Sequence, residues 1–367
     1  MRIALDISSA AREQSTGVAM YIRRMIAAFG RTGQGHEFTL VTRASRLKNL
    51  FHIPAAPAVN FSTKIMIERL HPIFARSIDV FHGLDSRLPG TWMKARTVVT
   101  IHDVFSALQS TEFADAEFRE MKRKRYLDLT ERADRIICVS ESVKRDVQQT
   151  LNPDPAKLLV VYEAGGEGFS RRAPDEINHT RQKHGLARPY LIFVGSVNKR
   201  KNVPAMIRAF AAASKATGEL DFAIAGRIGF GGEQIREAIS QSGVADRVKL
   251  LGYVPDEDVP ALYSGAEALL FTTLYEGFGI PALEAMACGC PVIGANVGSL
   301  PEIIGDAGVL ADPASIDSIA SAIETLLTDS SRRAALRERG FERARQFSWD
   351  SAAEKCLSIY QELLQSS

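Results

Sequence analysis

The sequence lacks long hydrophobic runs, a cysteine-rich framework and an excess of charge of either sign. No stretch of its 367 residues stays apolar over the roughly 18 positions that a membrane-spanning helix needs. Four cysteines are too few for a disulfide scaffold, and they do not have the paired spacing of a zinc ribbon. Lys and Arg number 45 against 43 Asp and Glu, so a net charge of +2 provides no overall field for a polyanion. These absences exclude a membrane-spanning protein, a disulfide-stapled domain and bulk nucleic-acid binding, and they predict a cytoplasmic protein.

The composition is that of a globular protein with enough apolar residues for a large core. Hydrophobic residues make up 46% of the chain and charged residues 24%. At about 150 residues per domain, the length predicts two domains. Near the N-terminus a short apolar run is broken by Asp6, which predicts a buried first strand rather than a secretory signal.

Short β-rich runs alternate with helical patterns along both halves of the chain, which predicts parallel sheets. The predicted strands of the first half are residues 3–7, 38–42, 80–82, 97–101, 135–139 and 158–162. Those of the second half are residues 190–194, 222–225, 248–253, 268–272, 291–294 and 309–310. The clearest helical patterns cover residues 18–29, 203–213, 235–240, 281–287 and 316–327.

These patterns predict an α/β protein with two Rossmann-like domains. Residues 161–189 are rich in glycine and polar side chains, which is typical of a linker. We therefore assign residues 1–168 to the first domain and 169–348 to the second. An amphipathic helix over residues 349–367, after an interruption at 347–349, is expected to pack back on the first domain. In such folds the ligand lies outside the carboxyl ends of the strands, so we expect it in a cleft between the domains.

The most informative segment, residues 272–284, follows a predicted strand of the second domain. Its glycines allow a close backbone approach, and Pro281 suits the first turn of a helix whose free amides would face an anion. Glu276 precedes that helix and Glu284 lies on its first turns. An ionised carboxylate accepts hydrogen bonds and cannot donate them, so these two glutamates suit the hydroxyl groups of a ligand. On spacing alone, both glutamates could equally be solvated surface groups.

Other strand ends also carry polar groups. Residues 198–202, Asn-Lys-Arg-Lys-Asn, place three cations after a strand, which favours an anion site, although an isolated run of this kind is more often a solvated turn. His102 and Asp103 end a strand of the first domain. In the segment 15–18, Gly17 would offer an unobstructed amide where the first helix begins.

Two further segments are interpreted as supporting loops. Residues 226–232 are rich in glycine, but their spacing is not that of a dinucleotide-binding loop, and no P-loop lysine follows. Cys288 and Cys290 flank a single glycine before a predicted strand, which is typical of packed thiols. We therefore expect a loop beneath a nucleotide at the first segment and no metal at the second.

Taken in order, these segments resemble the retaining glycosyltransferases of family 4 (glycosyl transferases group 1). The resemblance covers nearly the whole chain. It is carried by Thr-Ile-His-Asp at 100–103, Ala-Asp-Arg-Ile-Ile-Cys-Val-Ser at 133–140, the Lys-Arg-Lys run, the Glu, seven residues, Glu spacing, and Glu-Ala-Met-Ala-Cys-Gly-Cys-Pro-Val at 284–292. It implies the GT-B fold, in which two Rossmann-like domains have parallel sheets facing across an interdomain cleft. The first domain would bind the acceptor and the second the nucleotide-sugar donor.

The resemblance also implies a role for each matching residue. The catalytic positions would be His102, Arg200, Lys201 and Glu276. The donor-binding positions would be Gly17, Gly226, Val254, Gly277, Phe278, Gly279, Ile280 and Glu284. Glu284 would bond the ribose and Glu276 the sugar hydroxyls, while Arg200 and Lys201 would hold the diphosphate and His102 would contact the donor sugar. Many family members carry Arg directly after the strand-end glycine, where this sequence has Ser196, and we expect Arg200 and Lys201 to serve instead.

The implied function is transfer of a hexose from a nucleotide diphosphate sugar to a glycan or lipid-linked glycan in the synthesis of a cell-surface polysaccharide such as lipopolysaccharide. Mannose, donated by GDP-mannose, is the favoured sugar. Retention implies same-face transfer assisted by the leaving diphosphate, so the protein mainly orients the reactants and stabilises charge. No metal or other cofactor is expected, since no Asp-x-Asp stands at a strand end. Two alternatives stay open: a nucleotide-sugar-binding protein without transfer activity, and a dinucleotide-dependent oxidoreductase.

Residues 118–127 combine a dense basic cluster with apolar residues at helical spacing, in the domain expected to bind the acceptor. If the acceptor is lipid-linked, such a helix would give weak, salt-sensitive attachment to anionic lipid at the inner face of the cytoplasmic membrane. The alternative is an ordinary solvated helix face, because Asp128 and Glu131 follow directly.

Overall fold

The computed structural model describes residues 1–10, 17–45, 54–67, 77–89, 94–108, 115–229 and 232–365. The chain divides into two compact units. Unit 1 comprises Met1–Glu163 and Ser348–Ser367, and unit 2 comprises Ala164–Phe347. Residues 164–168, which the sequence pattern groups with the first domain, therefore belong to unit 2.

Unit 1 is built on a parallel sheet in the order β3-β2-β1-β4-β5-β6-β7. Its strands are β1 (Arg2–Asp6), β2 (Glu37–Arg43), β3 (Phe61–Met66), β4 (Val80–Gly83), β5 (Arg96–Ile101), β6 (Arg135–Cys138) and β7 (Leu158–Val160). Central strands such as β4 are buried along their whole length, as expected for a parallel sheet with both faces covered. The sequence pattern did not predict β3, because this edge strand exposes its four middle residues and so has no apolar run.

Unit 2 is built on a second parallel sheet, in the order β10-β9-β8-β11-β12-β13. Its strands are β8 (Tyr190–Val194), β9 (Asp221–Ala225), β10 (Val248–Gly252), β11 (Ala268–Phe271), β12 (Val292–Ala295) and β13 (Gly308–Ala311). Each lies within one or two residues of its predicted position. The runs are apolar because β9, β11 and β12 are buried at every residue.

Helices cover the two sheets. In chain order they are α1 (Gly17–Thr32), α2 (Ala116–Arg132), α3 (Glu141–Leu151), α4 (Pro174–Lys183), α5 (Val203–Thr217), α6 (Gly232–Gln241), α7 (Val259–Gly265), α8 (Ile280–Ala287), α9 (Leu300–Ile304), α10 (Ile316–Thr328), α11 (Ser330–Arg345) and α12 (Trp349–Gln365). The predicted break between the last two helices is confirmed. The interpretation of residues 161–189 as a linker is wrong over α4, whose polar sequence buries only Thr180 and so shows no apolar face.

The helix α12 belongs to unit 1 and packs against α1. It brings Tyr360 into the core, where its hydroxyl lies 2.5 Å from Nδ1 of the fully buried His82. Nε2 of His82 lies 2.8 Å from the Thr100 hydroxyl. Burial, with a smaller effect of nearby His102, lowers the pKa of His82 to about 3. This imidazole is therefore neutral in the folded protein at ordinary pH.

His82 predicts a loss of stability in acid. Its folded pKa of about 3 lies below the ordinary value of about 6.5, so on acidification the unfolded chain binds a proton first. Below pH 6.5 this one group should lower the free energy of unfolding by roughly 1.4 kcal/mol per pH unit. Urea titrations between about pH 6.5 and 4 should show a shallower pH slope for His82→Gln than for the wild type. Equal slopes would contradict the prediction, whatever the absolute stability of the variant.

All four cysteines are buried free thiols, which confirms the interpretation of Cys288 and Cys290 as packed residues. Burial raises the pKa of the Cys288 thiol to about 12, so it stays protonated and unreactive. Across the described ranges, none of the helices has the length and apolar character that crossing a membrane requires.

Candidate active site

The catalytic residues expected in unit 2 lie at one edge of its sheet. β8 and β11 are neighbours, with β9 and β10 on one side and β12 and β13 on the other, so the strand order reverses between them. In open α/β sheets such a reversal opens a crevice outside the carboxyl ends of the strands, where ligands bind. Arg200 and Lys201 follow β8, and Glu276 follows β11. All three residues therefore flank this crevice.

Lys201, Glu276 and Arg200 form a largely buried ion-pair cluster. Lys201 Nζ lies 2.6 Å from Glu276 Oε1, and Arg200 Nη1 lies 3.8 Å from Glu276 Oε2. The side chains of Lys201 and Glu276 are 12% and 8% exposed, so water and salt screen their attraction only weakly. Arg200 Nη1 also donates to the Tyr275 carbonyl at 3.1 Å. Two cations and one carboxylate leave a net positive charge, which favours an anion here.

Two asparagines fix the turn that carries the cations. Asn198 Oδ1 accepts a hydrogen bond from the Lys201 amide at 3.3 Å. Asn202 has a left-handed backbone, with φ of 58°, a conformation that asparagine adopts more readily than most residues. Its side-chain amide donates to the Thr272 and Pro313 carbonyls at 3.1 and 2.8 Å. Asn202 therefore ties the turn after β8 to the end of β11, which brings the cations to Glu276.

The loop after Glu276 leads into α8 and is held by Ser299. Ser299 is fully buried, and its hydroxyl lies 3.0 Å from the Glu276 carbonyl oxygen and 2.7 Å from that of Phe278. Gly279, with φ of 105°, precedes the helix, and a side chain there would meet Leu300 at 2.6 Å. The predicted donor contacts Gly277, Phe278 and Gly279 are buried, and Ile280 is partly exposed. The start of α8 is thus a rigid loop and helix terminus of the kind that suits a phosphate.

Glu284 lies further along α8 and packs against the first residues of unit 2. A Cβ placed on Gly166 would lie 2.7 Å from Glu284 Oε1, and one placed on Gly165 would lie 3.3 Å from Leu283 Cβ. Side chains at these two glycines would therefore crowd α8. Glu284 is partly exposed, so a ligand hydroxyl can reach its carboxylate, which accepts hydrogen bonds without donating.

The remaining donor positions follow β9 and β10, beside the ion-pair cluster in the strand order. Gly226 donates its amide to the Gly252 carbonyl at 2.7 Å, and a Cβ on Gly226 would lie only 1.9 Å from the Gly195 carbonyl oxygen. Only glycine fits there, so the ends of β8, β9 and β10 can approach closely. Val254, just after β10, is 6% exposed. Phe230 and Gly231 of the predicted supporting loop lie outside the described residues.

Unit 1 contains a cavity of about 310 Å³. It lies where the strand order of this sheet reverses, between β1 and β4, as the order reverses between β8 and β11 in unit 2. The charged and imidazole side chains that line it are Asp85, Arg87, His102, Asp103, Lys122 and Arg125. Ser86, in the wall, has a left-handed backbone with φ of 37°. The Ser86 amide and hydroxyl donate to the Thr100 carbonyl at 2.9 and 3.2 Å, and the Arg125 guanidinium donates to the Ser86 carbonyl at 3.2 Å. Such strain, held by surrounding bonds, is typical of functional sites.

The residues predicted in the first domain lie at or beside this cavity. His102 and Asp103 are in its wall, as expected for groups that follow β5. Gly17 begins α1 and is exposed, and its neighbour Val18 lines the cavity although Gly17 does not. Ser15 and Thr16 lie outside the described residues.

Two residues that position the site escaped the sequence patterns, Ser299 and Glu163, while Asn202 appears in them only as the end of the basic run. Glu163 follows β7 and accepts from or donates to His102 Nδ1 at 2.9 Å. Because it stands at the same sheet edge as His102, a search for acids after predicted strands would have found it. No local sequence pattern identifies Ser299, because its hydroxyl donates hydrogen bonds to carbonyls about 20 residues earlier in the chain.

A parallel sheet in each unit, with charged groups gathered outside the strand ends, is the arrangement found in the GT-B fold. Two family models match the chain: "Glycosyl transferases group 1" over residues 175–343 and "Glycosyltransferase Family 4" over residues 15–164. The chain belongs to the glycosyl transferases group 1 family, and the resemblance seen in its sequence is confirmed.

Individual proteins support the same assignment. The chain is 31% identical over 288 residues to the O-antigen chain mannosyltransferase B of Escherichia coli. The aligned residues make up 77% of this chain and 74% of that protein. It is 28% identical over 323 residues to the serotype-specific mannosyltransferase WbdA of Escherichia coli, or 84% of this chain but 39% of that longer protein. The crystal structure of Anabaena Alr3699/HepE in complex with UDP and glucose has a TM-score of 0.79 at 18% identity, with 99% of this chain and 100% of that chain covered. At that identity the likeness concerns the fold.

Proposed function

We propose that this glycosyltransferase transfers mannose from GDP-mannose, with retention of configuration, to a glycan or lipid-linked glycan acceptor in cell-surface polysaccharide synthesis. The observation that carries the donor chemistry is the cluster of Lys201, Arg200 and Glu276 at the strand-order reversal of unit 2. The choice of mannose rests on the O-antigen and serotype-specific mannosyltransferases among the relatives.

The donor would bind along the strand ends of unit 2. Lys201 and Arg200 would meet the diphosphate, whose negative charge grows as it leaves, and the amides at the start of α8 would add to this field. Glu276 would accept hydrogen bonds from sugar hydroxyls and Glu284 from the ribose. With these cations in place, we propose that transfer needs no metal. Among the described residues no three His, Cys, Asp or Glu side chains form a group that could hold one.

The acceptor would bind in the cavity of unit 1. Its wall combines the carboxylates of Asp85 and Asp103 with the cations of Arg87, Lys122 and Arg125. Carboxylates accept from sugar hydroxyls, and cations bind an anionic linker group, so this mixture fits a glycan with or without a phosphate-bearing carrier.

The proposal is tested by offering the purified protein GDP-mannose, UDP-glucose and other nucleotide sugars, first without and then with a mannose-terminated glycan. We expect nucleotide release to be fastest with GDP-mannose and to rise when the acceptor is added. The anomeric signal of the product, read by NMR, should show the configuration of the donor. Binding of the donor without release would favour the binding-protein alternative, and a preference for UDP-glucose would overturn the choice of mannose.

We further propose weak peripheral attachment through α2. Phe118 and Met121 are 40% and 54% exposed on this helix, beside the exposed or half-exposed Arg123 and Lys124. Apolar anchors flanked by cations favour the surface of an anionic bilayer, at about 1 kcal/mol for each well-placed basic residue. Lys122 and Arg125 line the cavity, so a variant that tests lipid contact alone should leave them intact.

Sedimentation with anionic liposomes tests this attachment. The wild type should sediment at low salt and remain in the supernatant at high salt, since surface charges are screened. Arg123→Gln combined with Lys124→Gln should reduce the sedimented fraction severalfold. As a matched control, Arg332→Gln with Arg339→Gln removes two exposed cations from α11 and should change nothing. A wild type that stays in the supernatant at low salt would leave the basic run as a solvated helix face.

A further inference from the structure

Both ring nitrogens of His102 are held by oxygen atoms of unit 1. Nδ1 lies 2.9 Å from Glu163 Oε1, and Nε2 lies 2.9 Å from the Leu84 carbonyl oxygen. A backbone carbonyl only accepts hydrogen bonds, and so does an ionised carboxylate. A neutral imidazole has a single N–H group and could serve only one of them. The two contacts are satisfied together when the ring carries both protons.

The same positions of the heavy atoms would also fit a neutral imidazole beside a protonated Glu163. Moving the proton to Glu163 would give up the attraction between the imidazolium and the nearby carboxylates, so the proton is placed on the ring. The titratable groups that face the ring are Glu163 after β7, Asp85 after β4, Tyr21 in α1 and His82 in β4. The His82 ring is neutral, and the carboxylates of Glu163 and Asp85 stabilise an imidazolium. The cations Arg87, Lys122 and Arg125 line the same cavity and oppose this effect.

Burial and the carboxylates act on His102 in opposite directions. The side chains of His102 and Glu163 are 13% and 6% exposed. Burial alone would lower the pKa of His102, but the hydrogen bond and charge of Glu163, the Leu84 carbonyl and the charge of Asp85 outweigh it and raise that pKa. The centroids of the Tyr21 and His102 rings lie 4.6 Å apart and the ring planes are at 81°, an edge-to-face packing that fixes the plane of the imidazole.

His102 lies in the wall of the cavity while both of its N–H groups are occupied by protein oxygens. It therefore has no free ring nitrogen with which to accept a proton or a hydroxyl hydrogen bond. What the ring can offer a substrate in the cavity is its positive charge and its C–H edge.

We propose that Glu163 is a positioning residue that fixes His102 as a doubly protonated imidazolium, so that His102 serves the site as a fixed cation rather than as an acid or base. This assigns a specific state to the histidine that the family resemblance places near the sugar. Its importance for transfer rests on the function proposed above, whereas the protonation state of the ring does not.

The protonation state is read directly from the nitrogen-15 NMR signals of the histidine rings. Of the seven histidines, His102 is assigned by the signal that disappears in His102→Asn. The midpoint of its titration in the wild type should lie above the ordinary histidine value of about 6.5, with both ring nitrogens at imidazolium shifts below that midpoint. A midpoint at or below the ordinary value would overturn the proposal without any variant.

Glu163→Gln removes the charge and keeps the shape of the side chain. The midpoint of the His102 titration should then fall by about one to three pH units, the usual effect of an adjacent charge. Glu163→Asp, which keeps the charge on a shorter side chain, should restore part of the shift even if the glutamine variant is unstable. Glu131→Gln removes an exposed carboxylate on α2 and should leave the signal unchanged.

Transfer activity gives the second measurement. The alkaline limb of the pH profile of kcat/KM should move to lower pH in Glu163→Gln and stay in place in Glu131→Gln. A purely structural role would lower activity evenly across the profile, and that result would contradict the positioning role. If no donor is turned over at any pH, the proposed function fails, while the NMR titration still decides the state of His102.

Discussion

Replacing Lys201 by methionine should lower kcat/KM for sugar transfer by about two to three orders of magnitude. Lys201 Nζ lies 2.6 Å from the Glu276 carboxylate at the strand-order reversal of unit 2, where we place the departing diphosphate. Removal of one preorganised charge that acts on the transition state typically has an effect of this size. Steady-state kinetics with GDP-mannose measures it. Lys199→Met, which removes an exposed cation from the same turn, is the matched control and should have little effect.

The same substitution also removes the nearer of the two cations that pair with Glu276, so it should lower the stability of the fold. The side chain of Glu276 is 8% exposed, and Arg200 stands 3.8 Å away, so the variant should melt at a lower temperature. Combining Lys201→Met with Glu276→Gln removes the buried carboxylate and should recover the melting temperature but not the activity. If the double variant recovered both, Lys201 would serve only to neutralise Glu276, and its role at the diphosphate would be refuted.

Glu284→Ala should weaken the binding of GDP by about 1.5 to 3 kcal/mol, or roughly 10-fold to 150-fold. The reason is the loss of hydrogen bonds between an ionised carboxylate and the ribose hydroxyls. Isothermal calorimetry on the free protein gives the affinity, and a normal melting temperature excludes general unfolding. Glu338→Ala, an exposed carboxylate on α11, is the control. An affinity equal to that of the wild type would leave Glu284 without a role in ribose binding.

A second substitution displaces the Glu284 carboxylate without removing it. An added Cβ on Gly166 would lie 2.7 Å from Glu284 Oε1 and still closer to the Phe169 ring, so both side chains would have to shift. Gly166→Ala should therefore also weaken GDP binding, because the carboxylate is pushed from its position. Full affinity in this variant would mean that the side chain of Glu284 can move aside without losing the ribose.

Most of the sheet architecture could be predicted from the sequence, because buried parallel strands are continuous apolar runs. β9 and β11 were located in this way to within one residue at each end. β3 could not be predicted, because an edge strand gains its stability from backbone hydrogen bonds and needs no apolar face. The helix α4 was hidden for a related reason, since it buries almost nothing.

The candidate site was predictable as far as its strand ends and no further. Lys201 and Glu276 each stood out as polar groups after a strand, but their pairing joins residues 75 positions apart, which no local pattern records. The pairing of His102 with Glu163 spans 61 positions in the same way. Such contacts follow from the order of strands in the sheet, and that order is set by the packing of the whole unit.

The division of unit 1 into two stretches of chain sets the order in which the protein can fold as it is synthesised. Unit 2 is one continuous stretch and is complete once the ribosome has passed Phe347. Unit 1 begins first but must wait for α12, which buries Trp349, Cys356 and Tyr360 in its core. Until then the face of unit 1 that α12 covers is open, and His82 lacks its Tyr360 partner. The nascent chain therefore carries an unfinished apolar surface through the synthesis of the whole of unit 2, and unit 1 is exposed to aggregation until α12 has been made.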